Sequence, residues 1–207
     1  MGHRALVAYE CTDGNYNLHY THWGALDLRL RHTITETTPF GSDRLTKAAA
    51  EAYEALTSGI DPERVQDRVD LTDCTGADVE PIPQATGLTL ADAISDHLDY
   101  LLHEAFYVVD REFEATAYRT LWFGLQYESS RVDTSPTVGH GAIQPAQWHD
   151  GEPVSDGFTR GQFAGMKRVV GEMVDRGMFD REEALEYLQG KLFATADPEA
   201  VRVRLAV

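Results

Sequence analysis

His19 and His22 stand three residues apart in YNLHYTHW, immediately before Trp23. Imidazole is a metal ligand and a general acid or base near neutral pH. On a regular strand, residues three apart point to opposite faces. The two rings therefore share one metal only where a bulge re-aims His22, and Gly24 marks a place for one. His140 lies between Gly139 and Gly141. Glycines let the backbone approach a ligand closely, and the segment falls in a long loop. Asp110, Glu112 and Glu114 alternate, so their carboxylates share a strand face and suit a hard cation. Taken together, His19, His22 and His140 with Asp110 or Glu112 would form the ligand set of a divalent metal if the fold brings them together. The chemistry would be metal-assisted hydrolysis.

Each of these residues also has a structural reading. His19 reads as a cross-strand contact, His22 as a capping hydrogen bond, His140 as a loop tip, and Asp110 and Glu112 as a charged turn. His97 falls in an apolar helical stripe and reads as a buried structural histidine. His19, His22, Trp23, His140 and Trp148 are the candidates for ligand binding without chemistry. The chain has no Walker A loop, no Rossmann glycine fingerprint, no HExxH and no G-x-S-x-G. The first functional expectation is therefore a non-enzymatic cytoplasmic module that binds a partner protein or a small molecule. A metal-dependent hydrolase is the second.

The elements that would position these residues begin with Arg4–Trp23. Asp13-Gly14 is a type I′ hairpin signal, and a two-residue loop pairs Tyr9 with Leu18 and Val7 with Tyr20. That register places Ala5, Val7, Tyr9, Leu18 and Tyr20 on one face and Asn17, His19 and Thr21 on the other. Residues 26–32 alternate as a strand but have helical propensity, and both readings stand. A helix is expected from Ser42 to about Thr57. A short one follows, with Asp61 as cap and Pro62 at its first position. A third runs from Thr89 to about Glu104, with His97 in its apolar stripe, while Leu45 lies on the stripe of the first. FYVVD and ATAYRTLW form a second hairpin. Residues 129–157 read as one long loop, and 159–194 as a helical hairpin with boxes at Thr159/Gln162 and Asp180/Glu183. Val201, Val203, Leu205 and Val207 alternate as an edge strand, which permits a homodimer.

These elements describe a single α+β domain over 1–207. Its antiparallel sheet consists of two hairpins plus a C-terminal strand, packed on one face by helices. Tyr9, Tyr20, Tyr118 and Trp122 are expected to anchor the layers.

Composition limits the partners. Asp and Glu total 34 against 18 Lys and Arg, a net charge of −16, and Lys47, Lys167 and Lys191 are the lysines. Nucleic-acid binding needs a basic stripe, and none is present. The αα-hairpin lacks a basic recognition helix, since DREEALEYLQGKL is acidic. No run of 18 apolar residues spans a membrane. The N-terminus lacks the pattern of a signal peptide, which points to the cytoplasm. Two cysteines, Cys11 and Cys74, are too few for a disulfide framework. An acidic, lysine-poor surface spread along the whole chain fits molar salt, where screening shortens to about 3 Å.

MGHRALVAYE with YNLHYTHWGA, LLHEAFYVVD and TAYRTLWFGL together resemble an uncharacterised haloarchaeal domain family of unknown function. The resemblance implies an organism type, in keeping with the halophile reading. It implies no activity and no site.

Overall fold

The structure is a computed structural model that describes residues 2–42, 46–74, 76–154, 156–195 and 202–204. It has helices and strands in an α+β arrangement. The chain divides into two compact units, Met1–Ile94 with His103–Ala117, and Ser95–Leu102 with Tyr118–Val207.

In the first unit, β1 (Ala5–Glu10) and β2 (Tyr16–Thr21) form the expected hairpin. Its register differs from expectation by one residue. Val7 pairs with His19, Tyr9 with Asn17 and Ala5 with Thr21. The loop has three residues rather than two. Gly14 N–H donates to the Cys11 carbonyl (3.0 Å) and Cys11 N–H donates to that of Asn15 (2.8 Å). Gly14, at φ +81°, takes the left-handed position that ends such a loop. A slip of one residue moves every side chain of β2 to the other face. Asn17, His19 and Thr21 therefore share the face of Val7 and Tyr9, and all three are buried.

Residues 26–33 are not a strand: a 3-10 turn at Leu26–Leu28, in which Asp27 and Leu28 have positive φ, is followed by the short helix α1 (Leu30–Thr33). Helix α2 (Lys47–Thr57) starts at Thr46, whose hydroxyl accepts from Ala49 N–H, and not at Ser42. Leu45, placed on its stripe from sequence, lies outside the described residues. Helix α3 (Pro62–Arg68) has Asp61 as cap and proline in its first turn, as the sequence implies. Strand β3 (Ala85–Leu88) then pairs with β2.

The helix expected through Glu104 is far shorter. It comprises α4 (Leu90–Asp92) and a wide turn over Ala93–His97. Asp99 ends it, because its carboxylate accepts the Leu101 and Leu102 N–H groups. His97 is consequently exposed, not part of a buried stripe. Strand β4 (Ala105–Val109) and β5 (Ala115–Trp122) make the second hairpin.

Strand β4 pairs with β1 in parallel, Ala5 opposite Ala105 and Tyr9 opposite Val109. The sheet is therefore mixed, not purely antiparallel. Ala5–Tyr9 is buried at every position, as a strand flanked on both sides and covered on both faces requires. The hydrogen-bonded order in this unit is β3-β2-β1-β4-β5.

The second unit starts from the end of β5, which pairs antiparallel with β6 (Gly141–Pro145). Strand β6 pairs with β9 (Arg202–Arg204), the described part of the expected C-terminal strand. Val201, Leu205 and Val207 lie outside the described residues. Residues 129–157 are not one loop, since they contain β6, β7 (Gln147–His149) and β8 (Glu152–Val154). Asp150 (φ 50°) and Gly151 (φ 82°) close β7 onto β8, the two positive angles of a type I′ turn.

Helix α5 (Asp156–Asp175) starts three residues before the expected Thr159. It ends at Gly177, whose N–H donates to the Val174 carbonyl while Met178 N–H donates to Met173. Helix α6 (Arg181–Thr195) opens with a reciprocal box between Asp180 and Glu183, both bonds at 2.9 Å. Phe163, Val170 and Val174 of α5 pack with Ala184 and Leu188 of α6 and with Phe123. Among the expected anchors, Tyr9 and Trp122 are buried, while Tyr20 and Tyr118 are half-buried.

Candidate functional site

Three of the buried polar side chains of the first unit end on backbone carbonyls. His19 Nδ1 lies 2.8 Å from the Glu80 carbonyl, which only accepts, so Nδ1 carries the proton. Asn17 donates to the Leu56 carbonyl (3.0 Å) and Thr21 to that of Asp78 (2.7 Å). The His19 ring also meets Tyr9 edge-on at 5.0 Å. Burial pushes His19 down to about 4, against the opposing effect of the Glu80 carbonyl. His19 is thus a neutral structural imidazole with one nitrogen committed.

His22 and Trp23 are exposed at the far end of β2. The Tyr20 hydroxyl lies 3.1 Å from His22 Nδ1. The Trp23 ring meets His22 at 4.9 Å and His3 at 6.1 Å, and His3 Nδ1 is 3.2 Å from the Glu104 carboxylate. The His103 ring lies 6.5 Å from that of Tyr20. Gly24 leaves room for this end to close, because a Cβ there would overlap Thr21. Ala25 N–H donates to the His3 carbonyl at 2.9 Å. Trp23 keeps 46% of its surface exposed while being held on two sides by imidazoles.

His140 belongs to the second unit and is 1% exposed, not a loop tip. Neither ring nitrogen has a hydrogen-bond partner among the described residues, and burial, with the Arg181 charge second, pushes its pKa down to about 4. The flanking glycines approach protein, not ligand. A Cβ on Gly139 would overlap the Ser95 carbonyl, and one on Gly141 would overlap that of Leu121. Asp110 accepts from the Glu112 and Glu114 N–H groups, as the organiser of its turn. Glu112 is exposed. Trp148 is half-buried on β7 opposite Pro153. No group of three or more His, Cys, Asp or Glu able to hold a metal exists among the described residues. Cys11 and Cys74 are free and buried, and burial raises both thiols.

The second unit has a cluster that sequence reading passed over. Lys167 is 7% exposed, its Nζ 4.6 Å from the centre of the Trp122 ring and 3.5 Å from Glu128 Oε1. Desolvation by burial lowers the Lys167 pKa, opposed by the Glu128 charge. A cavity of about 170 Å³ opens onto these groups and is also lined by Thr120, Arg160 and Phe163. Positioning comes from one face of α5. At Gly171 a Cβ would overlap the Glu128 carbonyl, and Asp175 accepts from the Ser129 hydroxyl (2.7 Å) and the Ser130 N–H (2.9 Å). Lys167, Gly171 and Asp175 are four residues apart, so one helical face holds the 128–130 turn against the lysine. The signal was present in sequence. Lys167 falls on the stripe of Phe163, Val170 and Val174, where a lysine is rare unless paired.

Fold and sites together define an α+β protein with an exposed aromatic-histidine end and a buried lysine–glutamate pair. The chain matches over residues 1–203 the model of a family of unknown function, DUF6735, and belongs to that family. No curated protein and no solved structure matches it. No helix is long and apolar enough to cross a membrane among the described residues.

Proposed function

We propose that this protein is a non-enzymatic cytoplasmic binding module whose contact surface is the Tyr20–His22–Trp23 end of β2. The observation that supports the reading is the presentation of Trp23, half in solvent yet braced by His22 and His3. A large side chain held before binding loses little entropy on contact, and tryptophan is a frequent interface anchor. The ligand is cationic. The indole face attracts cations, Glu104 lies behind His3, and the chain carries −16. Its source is a lysine or arginine side chain of a partner protein, or a small organic cation. The acidic balance itself serves solubility in concentrated salt.

The test is an NMR titration that follows the Trp23 indole N–H with tetramethylammonium, the neutral neopentyl alcohol of similar shape, and a lysine-rich peptide. Saturable shifts with tetramethylammonium that vanish in Trp23→Ala support the reading. Tighter binding of the peptide assigns a protein partner. Equal shifts with the neutral compound would overturn it.

A further inference from the structure

We infer that the cleft at Lys167 binds a small carboxylate whose adjacent carbon carries a hydrogen-bond donor, such as a hydroxyl or an ammonium group. The inference does not depend on the Trp23 reading.

Four features of the cleft define that chemistry. First, the lysine is not saturated by the described residues. An ammonium has three N–H donors. Its contact with Glu128 Oε1 is 3.5 Å, longer than the roughly 2.7–2.9 Å of a strong charge-assisted bond. Trp122 offers it only a ring face. An acceptor entering the cleft would complete its shell. Second, Glu128 Oε2 is buried with no hydrogen-bond partner among the described residues. A buried carboxylate oxygen left in that state is costly, and a turn of the Glu128 carboxylate toward a ligand's donor relieves it. Third, the charges set the order of these groups. Glu128 would repel a bare anion placed beside it. A ligand with its carboxylate toward Lys167 and its donor toward Glu128 meets both. Arg160 also lines the cavity and favours the anionic end. Fourth, Trp122 and Phe163 wall the rest, so the remainder of the ligand is hydrocarbon. An open cleft of about 170 Å³ admits a small molecule of a few non-hydrogen atoms. Lactate and alanine are both of that size.

The geometry also resists collapse. Gly124 lies against the Trp122 indole, where a Cβ would overlap the ring, and Trp122 Nε1 donates to the Pro136 carbonyl at 2.9 Å. The indole is thus fixed on one side of Lys167, as the Gly171 contact fixes Glu128 on the other.

The experiment is a protein-observed NMR titration with L-lactate, L-alanine and propionate, which lacks the donor, at constant ionic strength. The expected result is saturable shifts at residues 120–122, 128 and 160–167. Lactate or alanine binds at least about tenfold tighter than propionate, the size of one unsatisfied buried group. Preference for lactate assigns a hydroxyl donor and preference for alanine an ammonium. Lys167→Met abolishes saturation, and Glu128→Gln removes the preference over propionate. Should Lys167→Met fail to fold, the double variant Lys167→Met/Glu128→Gln removes both buried charges and gives the same readout. Equal binding of all three compounds, no saturation, or unchanged binding in the lysine variant would overturn the inference.

Discussion

Gly171 of α5 lies directly against the Glu128 carbonyl, so closely that a Cβ at position 171 would overlap the oxygen. The contact makes glycine a packing requirement there, since its backbone is ordinary helix. Gly171→Ala is expected to push the 128–130 turn off the helix and cost about 1–3 kcal/mol, the usual range for overpacking. Gly165, on the same helix, is exposed and has nothing within 4 Å of where a methyl group would sit. Gly165→Ala gains helix propensity instead, worth about 1 kcal/mol of added stability. Urea melts of the two variants should move in opposite directions. Two shifts of the same sign would contradict the packing assigned to α5.

His19 ties stability to pH. Its folded pKa is near 4, and the unfolded value is the ordinary 6.5. Between those values the unfolded chain binds more protons than the folded one, so stability rises with pH across the window. This contribution is fully present above about pH 6.5 and is lost as pH falls toward 4, reaching about 3 kcal/mol. His140, also near 4, acts in the same direction. His19→Gln keeps a donor for the Glu80 carbonyl and removes the titration. Its urea-derived stability should therefore fall less than that of the parent between about pH 7 and pH 4. Parallel pH profiles would show that His19 is not held neutral.

The hairpin loop gives a cleaner test of backbone strain. Gly14 has φ +81° and nothing within 4 Å of a Cβ position. Gly14→Ala therefore costs only the left-handed conformation, about 1–2 kcal/mol. Gly14→Asn should recover much of it, because asparagine tolerates that region. A loss in Gly14→Asn as large as in Gly14→Ala would point instead to a packing role for the glycine.

Two Asp-Gly pairs show how far turn chemistry reads from sequence. At 150–151 both residues have positive φ, and the pair makes a two-residue type I′ turn. At 13–14 only Gly14 does, within a three-residue loop. The dipeptide signals a hairpin in both places, but loop length depends on which flanking pairs bury best. Tyr9 packs on Phe40 and Tyr53 at 6.0 and 5.6 Å, and the chosen register puts His19 beside it. That competition is tertiary and invisible locally. The parallel β1–β4 pair was not read from sequence: ALVAY and AFYVV are unbroken apolar runs that mark central strands, but such a run does not give the direction of pairing. Lys167 was legible, as a charge on an apolar stripe. Glu128 as its partner was not, because their contact depends on the close approach at Gly171.

Charge gives the last prediction. At −16 the folded chain concentrates like charge that the expanded chain spreads out, so self-repulsion opposes folding. Salt relieves this as the screening length falls from about 10 Å at 0.1 M to about 3 Å at 1 M. The Tm should rise with KCl over that range. Salt also strengthens burial of apolar surface by exclusion, so the rise alone does not identify its cause. Glu182 and Glu186 are exposed on α6. Reversing both, Glu182→Lys with Glu186→Lys, changes the net charge by four, from −16 to −12. If repulsion dominates, this variant is more stable than the parent in dilute KCl and gains less on going to molar KCl. An unchanged gain would assign the salt effect to apolar burial and remove the electrostatic argument for an acidic surface.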